Sequence, residues 1–265
     1  MHRQIVVGLL SVALTLLCTM SLSAEEKAQE PVGVGAQPQA GPFWGIRVLV
    51  ALAGLAAWYG TQYLIRERRP MAAAESDKAG QLLAEHDAVL KLTAPINRFL
   101  NLHLRWAHGL LIVSSAVMDL LVGFVIIWSI VGPSFRPFLG LIMLFGLRQI
   151  CQALTALPPP PGMIWWYPGF PSLFVTYGVN NDLFFSGHTA MAVYGVVELA
   201  MLGPAWLLII GVAVAIFEIV TVLLVRAHYT MDVFGGLVTA LLVAAIAWQI
   251  GPGCDAALMH LFGNR

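Results

Sequence analysis

The sequence predicts an all-α fold: a polytopic membrane helical bundle of six core transmembrane helices, preceded by an N-terminal signal peptide or anchor. Three observations predict it. Of 265 residues, 59% are hydrophobic and only 11% charged, where soluble domains run near ~45–50% and ~25%. Mean hydropathy is +0.81, so lipid must be the solvent for much of the surface. The apolar residues fall in long runs broken by polar or Pro/Gly-rich punctuation. Net charge is zero with no basic face, which leaves nucleic-acid binding without support. Cys18, Cys151 and Cys254 are scattered and form neither a disulfide framework nor a zinc site.

The elements follow in order. Residues 1–24 read as a signal peptide or signal anchor: Met-His-Arg precedes an apolar run, Ile5 to Met20, that ends in Ser-Leu-Ser-Ala. Residues 25–42 are a polar, Pro/Gly-rich linker. Residues 43–65 are the first core span. Residues 66–105 are a polar loop carrying Arg66, Arg68, Arg69, Lys78, Lys91, Arg98 and Arg105, which the Lys/Arg count places in the cytoplasm. Residues 107–251 form a catalytic membrane core with spans at 107–131, 137–157, 187–203, 205–225 and 233–251. Gly132-Pro133 and Gly203-Pro204 punctuate two of its turns. Residues 252–265 are a C-terminal tail.

Two segments set polar residues at the ends of apolar spans: Ser186-Gly187-His188-Thr189 and Arg226-Ala227-His228-Tyr229-Thr230-Met231-Asp232. Forty positions separate the histidines, with a turn halfway. At ~1.5 Å per residue, about 20 residues cross a bilayer and 20 return, so both histidines reach the same membrane face. Asp232 is close enough to accept an imidazole N–H from His228 and fix its tautomer, leaving the other nitrogen as a nucleophile. Ser186 and Gly187 open a helix, whose free N–H groups favour an anion. Arg148 and Arg226 could hold a phosphate. Each residue also has a plain structural reading: interfacial histidines, Asp232 as a helix cap, Arg226 as a positive-inside anchor.

These motifs resemble the type 2 phosphatidic acid phosphatase superfamily. They are closest to the branch of sphingomyelin synthases and plant phosphatidylcholine:diacylglycerol cholinephosphotransferases. Leu147-Arg148, Leu154-Thr155-Ala156-Leu157-Pro158 and Pro161-Gly162 resemble that branch's motif ahead of Ser-Gly-His, and the likeness spans roughly 107–251. The phosphatases' first motif, Lys-x6-Arg-Pro, is absent, and Thr221-Val222 stand where their third motif has Ser-Arg. The departures favour transfer to a lipid alcohol over transfer to water.

The resemblance implies that His228 attacks phosphorus, Asp232 orients it, and His188 serves the departing and incoming alcohols. Arg148, Ser186, Gly187 and Arg226 would hold phosphate. The expected partners are a phospholipid donor, a lipid-alcohol acceptor (diacylglycerol or ceramide) and the surrounding membrane lipids, with a phosphocholine- or phosphoethanolamine-like group transferred. The oligomeric state is open. No residue cluster has metal-ligand spacing, so neither metal nor cofactor is expected. A cytoplasmic site would differ from the outward-facing site of sphingomyelin synthases. The competing functions are a lipid phosphate phosphatase and a non-enzymatic transporter or scaffold.

Asp119, Arg148, Glu198 and Glu218 fall inside spans, where charges are costly and usually paired or functional. An ion pair between Arg148 and one of the glutamates is the plain expectation. Trp165, Trp166 and Tyr167 suit an interfacial belt, with headgroup stacking as the alternative.

Overall fold

A computed structural model describes residues 44–66, 73–155, 157–177 and 183–262. The expected signal segment 1–24 and linker 25–42 lie outside the described residues. Those described form eight helices and no strand.

Helix α1 (Trp44–Arg66) is the first core span. Its buried residues Ala51, Trp58 and Gln62 recur at seven and four positions, a single inward stripe. The apolar remainder faces outward, as on a lipid-facing helix.

The expected polar loop 66–105 is instead largely helical: α2 (Ala73–His86) and α3 (Ala88–Leu102). Residues 73–86 are rich in Ala, Glu, Gln and Leu, which need no tertiary help to favour helix. Asp87 separates the two helices and caps the second, its Oδ1 accepting from the N–H groups of Val89 and Leu90 at 3.1 Å each. Leu90, Asn97 and Leu100 form the buried face of α3.

Among the described residues, five helices are long and apolar enough to cross a membrane: α1, α4 (Leu104–Val131), α5 (Arg136–Leu154), α7 (Ala205–Leu224) and α8 (Thr230–Phe262). Six were expected. The fourth expected span, 187–203, is α6 (Gly187–Ala200), of only 14 residues. A span needs about 20. Helix α6 packs against α4, α5, α7 and α8, and nearly all of it is buried. A helix walled by protein needs no lipid-facing stripe and no bilayer-matched length. Apolar runs in sequence do not distinguish it from a short span.

The tail expected at 252–265 continues α8 as far as Phe262, with Pro252 inside the helix. It is held because Asp255 caps α5, accepting from Phe135 N–H at 2.8 Å and from the Ser134 hydroxyl. The Phe135 N–H is one of the donors that the start of a helix leaves unpaired.

The ion-pair expectation is corrected here. Glu198 pairs with Arg136, not Arg148, through two parallel bonds of 2.8 and 2.7 Å. Arg136 also lies 5.3 Å from the centre of the Trp248 ring. Glu218 accepts from Ser114 Oγ at 2.7 Å. Asp119 holds the turn at 172–174, accepting from Leu173 and Phe174 N–H at 2.9 Å each.

Candidate active site

The start of α6 is built by its own side chains. Ser186 Oγ accepts from Thr189 N–H at 3.3 Å and from Thr189 Oγ1 at 3.0 Å, a helix N-cap. Its backbone N–H donates to Asp232 O at 3.0 Å, joining the starts of α6 and α8. Ser186 is fully buried and is not among the described residues bordering the adjacent cavity; its hydroxyl serves as a cap. Gly187 does border the cavity. A Cβ there would lie 2.9 Å from Arg148 Nε. A larger residue would press that side chain away from the helix end, where Nε donates to Phe185 O at 3.2 Å.

Arg148, Gly187, His188 and His228 line one cavity of about 40 Å³. One water needs roughly 10–15 Å³ by the same measure, so the space takes a group larger than water. Helix α5 brings Arg148, α6 brings His188, and the turn between α7 and α8 brings His228. The return of the chain after the Gly203-Pro204 turn puts the two histidines at one end of the bundle.

His228 is oriented by the backbone. Its Nδ1 lies 2.8 Å from Leu183 O. A carbonyl only accepts, so Nδ1 carries the proton and the lone pair of the neutral ring is on Nε2. Asp232 was expected within ~2.6–3.2 Å of the ring, or a little looser without substrate. Its Oδ2 is 3.7 Å from Nδ1 and accepts instead from Tyr229 N–H at 2.9 Å. That is the reach-back half of a capping box at the start of α8. The carboxylate supplies negative charge near the ring, while the tautomer is held by Leu183. His188 Nε2 is buried and has no hydrogen-bond partner among the described residues. A buried polar atom left so is costly and is satisfied by whatever fills the cavity. The Trp165 ring meets His188 edge-on at 5.2 Å.

Arg226 does not reach the cavity. It has φ 55°, a left-handed backbone that non-glycine residues rarely hold. Its guanidinium donates to Pro161 O and, at 3.2 Å, to Leu90 O. The side chain locks the turn carrying His228 onto α3 and the 158–162 segment.

Sequence reasoning missed the residues that make this turn rigid. Asn97 Nδ2 donates to Leu224 O at 2.8 Å and Gly162 O at 3.1 Å. Tyr229 OH donates to Pro158 O at 3.1 Å. Asp87 accepts from Thr230 N–H at 2.8 Å and from Thr230 Oγ1 at 2.6 Å, so one carboxylate caps both α3 and α8. Burial pushes the Asp87 carboxyl up, but the bonds from Thr230, Leu90 and Val89 outweigh it and leave it below its ordinary value. Its sequence signal was a helix-capping Asp ahead of an apolar-periodic run, hidden by reading the region as a loop.

A second, almost wholly apolar cavity of about 200 Å³ lies between α1, α4 and α5 and shares Trp58 and Phe145 with the first. A family model described as AtPDCT1/2 matches residues 86–249, well over half of the chain. The match begins in the segment read as outside the resemblance, and so includes Asp87 and α3 as well as Arg148, Gly187, His188 and His228, while Trp58 precedes it. No curated protein and no solved structure matches the chain.

Proposed function

The chain belongs to the AtPDCT1/2 family, phosphatidylcholine:diacylglycerol cholinephosphotransferases by name. From that premise we propose that it moves phosphocholine from phosphatidylcholine to the hydroxyl of diacylglycerol through a phospho-histidine. The observation that carries the reading is the shared cavity: His228 with its lone pair on Nε2, His188 with an unpartnered Nε2, and Arg148 beside them.

In the first half-reaction His228 Nε2 attacks phosphorus and the bond to the diacylglycerol oxygen breaks. That oxygen takes a proton from His188. The proton stays on Nδ1, donated in a hydrogen bond to Leu183 O throughout, so the phosphorylated ring keeps its orientation. In the second, a new diacylglycerol gives its hydroxyl proton to His188, its oxygen attacks phosphorus, and the P–N bond breaks. One group is thus acid for the leaving alcohol and base for the incoming one. Arg148 offsets charge on the phosphoryl oxygens, and Asp232 offsets the positive charge that the imidazole acquires. The Lys/Arg count of residues 66–105, together with the bonds that tie α3 to the turns carrying the site, supports a cytoplasmic site.

The test is purified protein in vesicles with headgroup-labelled phosphatidylcholine, supplied with diacylglycerol or ceramide and read by mass spectrometry. New labelled phosphatidylcholine and ping-pong kinetics are expected. Free phosphate or phosphocholine as the main product would make the protein a hydrolase. Labelled sphingomyelin in place of phosphatidylcholine would reassign the acceptor.

A further inference from the structure

The described lining of the cavity is of two unlike kinds: Arg148, His188 and His228 supply polar nitrogens, and Trp58, Phe145, Trp165 and Phe174 supply an aromatic wall. None of the described residues that line the cavity is a carboxylate. Resting on the transfer reaction proposed above, we infer that these four rings form a quaternary-ammonium subsite and that Trp58 selects a trimethylated headgroup over a primary amine.

The argument is one of unmet hydrogen bonds. A trimethylammonium has no N–H to satisfy and is held by π faces. A primary ammonium carries three donors and loses its water on entering. The aromatic wall offers it little in return. Among the described residues on that side, Thr176 carries the only hydroxyl, and its carbonyl already accepts from Trp165 Nε1 at 3.1 Å. With phosphate at Arg148 and the histidines, the choline nitrogen of the same headgroup falls toward the rings.

The rings are fixed before any ligand arrives. Trp58 lies 5.4 Å from Phe145 and 6.5 Å from Phe174, centre to centre. Trp165 is held through its Nε1 and through its edge contact with His188. Trp58 is only 6% exposed on a helix that is otherwise mostly outward-facing. The next residue, Tyr59, donates its hydroxyl to Leu173 O, which ties α1 to the turn carrying Phe174. Helix α1 lies outside the 86–249 family match. The selecting residue is therefore supplied by a helix beyond the shared segment.

The test is a donor competition with the full chain in vesicles holding equal phosphatidylcholine and phosphatidylethanolamine, plus isotopically labelled diacylglycerol. The readout is the ratio of labelled choline to labelled ethanolamine product. Trp58→Leu should lower that ratio about tenfold, the size of one desolvated cation–π contact, and Trp58→Phe should restore most of it. An unchanged ratio, or an equal loss of both products, overturns the subsite. If Trp58→Leu does not fold, Phe174→Leu is read in the same way. If the wild-type protein makes neither product, the transfer reading has failed. The subsite is then read by tetramethylammonium titration of tryptophan fluorescence. Saturable binding weakened by Phe174→Leu supports it, and absence of saturable binding overturns it.

Discussion

At the scale of single residues, the division of labour around His228 makes a sharp prediction. His228→Ala removes the nucleophile and should leave no measurable transfer. Asp232→Asn keeps an acceptor for Tyr229 N–H and leaves the Leu183 bond untouched; what it loses is a charge 3.7 Å from Nδ1. Turnover should fall on the order of 100-fold, ~2.7 kcal/mol, where a carboxylate that alone set the tautomer would cost about 10⁴. A loss near 10⁴ in single-turnover kinetics, with the fold intact, would return that role to Asp232. The histidines and Arg148 were legible because polar residues at span ends are rare and their spacing fixes a common face. Leu183 was not, because its contribution is a backbone carbonyl that every residue type carries. The partners that Ser186 and Arg226 take in the structure were not legible, for a related reason. Their chemistry suits an anion, but caps and backbone carbonyls claimed them first.

At the scale of elements, Asp87 joins the α3 start to the α8 start. Asp87→Ala should destabilise the protein by about 2 kcal/mol and lower the thermal midpoint by a few degrees, while Asp87→Asn should keep most of that. Folding holds this carboxyl below its ordinary value of 3.8. Its contribution is therefore present above that value and lost as pH falls through the lower folded-state value. Wild type and Asp87→Ala should converge in stability only on strong acidification, which parallel melts across pH would show. The Arg136–Glu198 pair gives a contrasting case. Glu198 is ten residues along α6 from His188, ~15 Å by helical rise. Arg136→Ala leaves a buried carboxylate unpaired and should cost about 3–5 kcal/mol. Arg136→Ala with Glu198→Gln should recover part of this. In denaturant titrations stability should move while the turnover of folded enzyme does not. The sequence singled out Glu198 and Arg148 but not Arg136, which stands just ahead of the span expected at 137–157, and helical rise gives depth and not azimuth. It missed α2 and α3 because charge counting outweighed the apolar stripe of Leu90 and Leu100.

At the scale of the whole molecule, α2 and α3 are bonded to the turns that carry the site, through Asn97 to Gly162 and Leu224 and through Asp87 to Thr230. The cavity therefore lies on whichever side of the membrane residues 73–102 lie. A cysteine placed at the exposed Glu85 position should react with an impermeant maleimide only after permeabilisation; labelling of intact cells would put the site outside. The bundle itself was legible in composition, and its buried short helix was not. That helix has a further consequence. Membranes differ in thickness, and a helix that meets lipid must tilt, kink or deform the bilayer to match it. Helix α6, which carries His188, is enclosed by α4, α5, α7 and α8, so the mismatch is taken up by the outer helices. Reconstitution into thin and thick bilayers should then shift the melting temperature while leaving KM for a fixed soluble-chain substrate in place, as if the reaction were carried out in a vessel whose walls flex and whose floor does not.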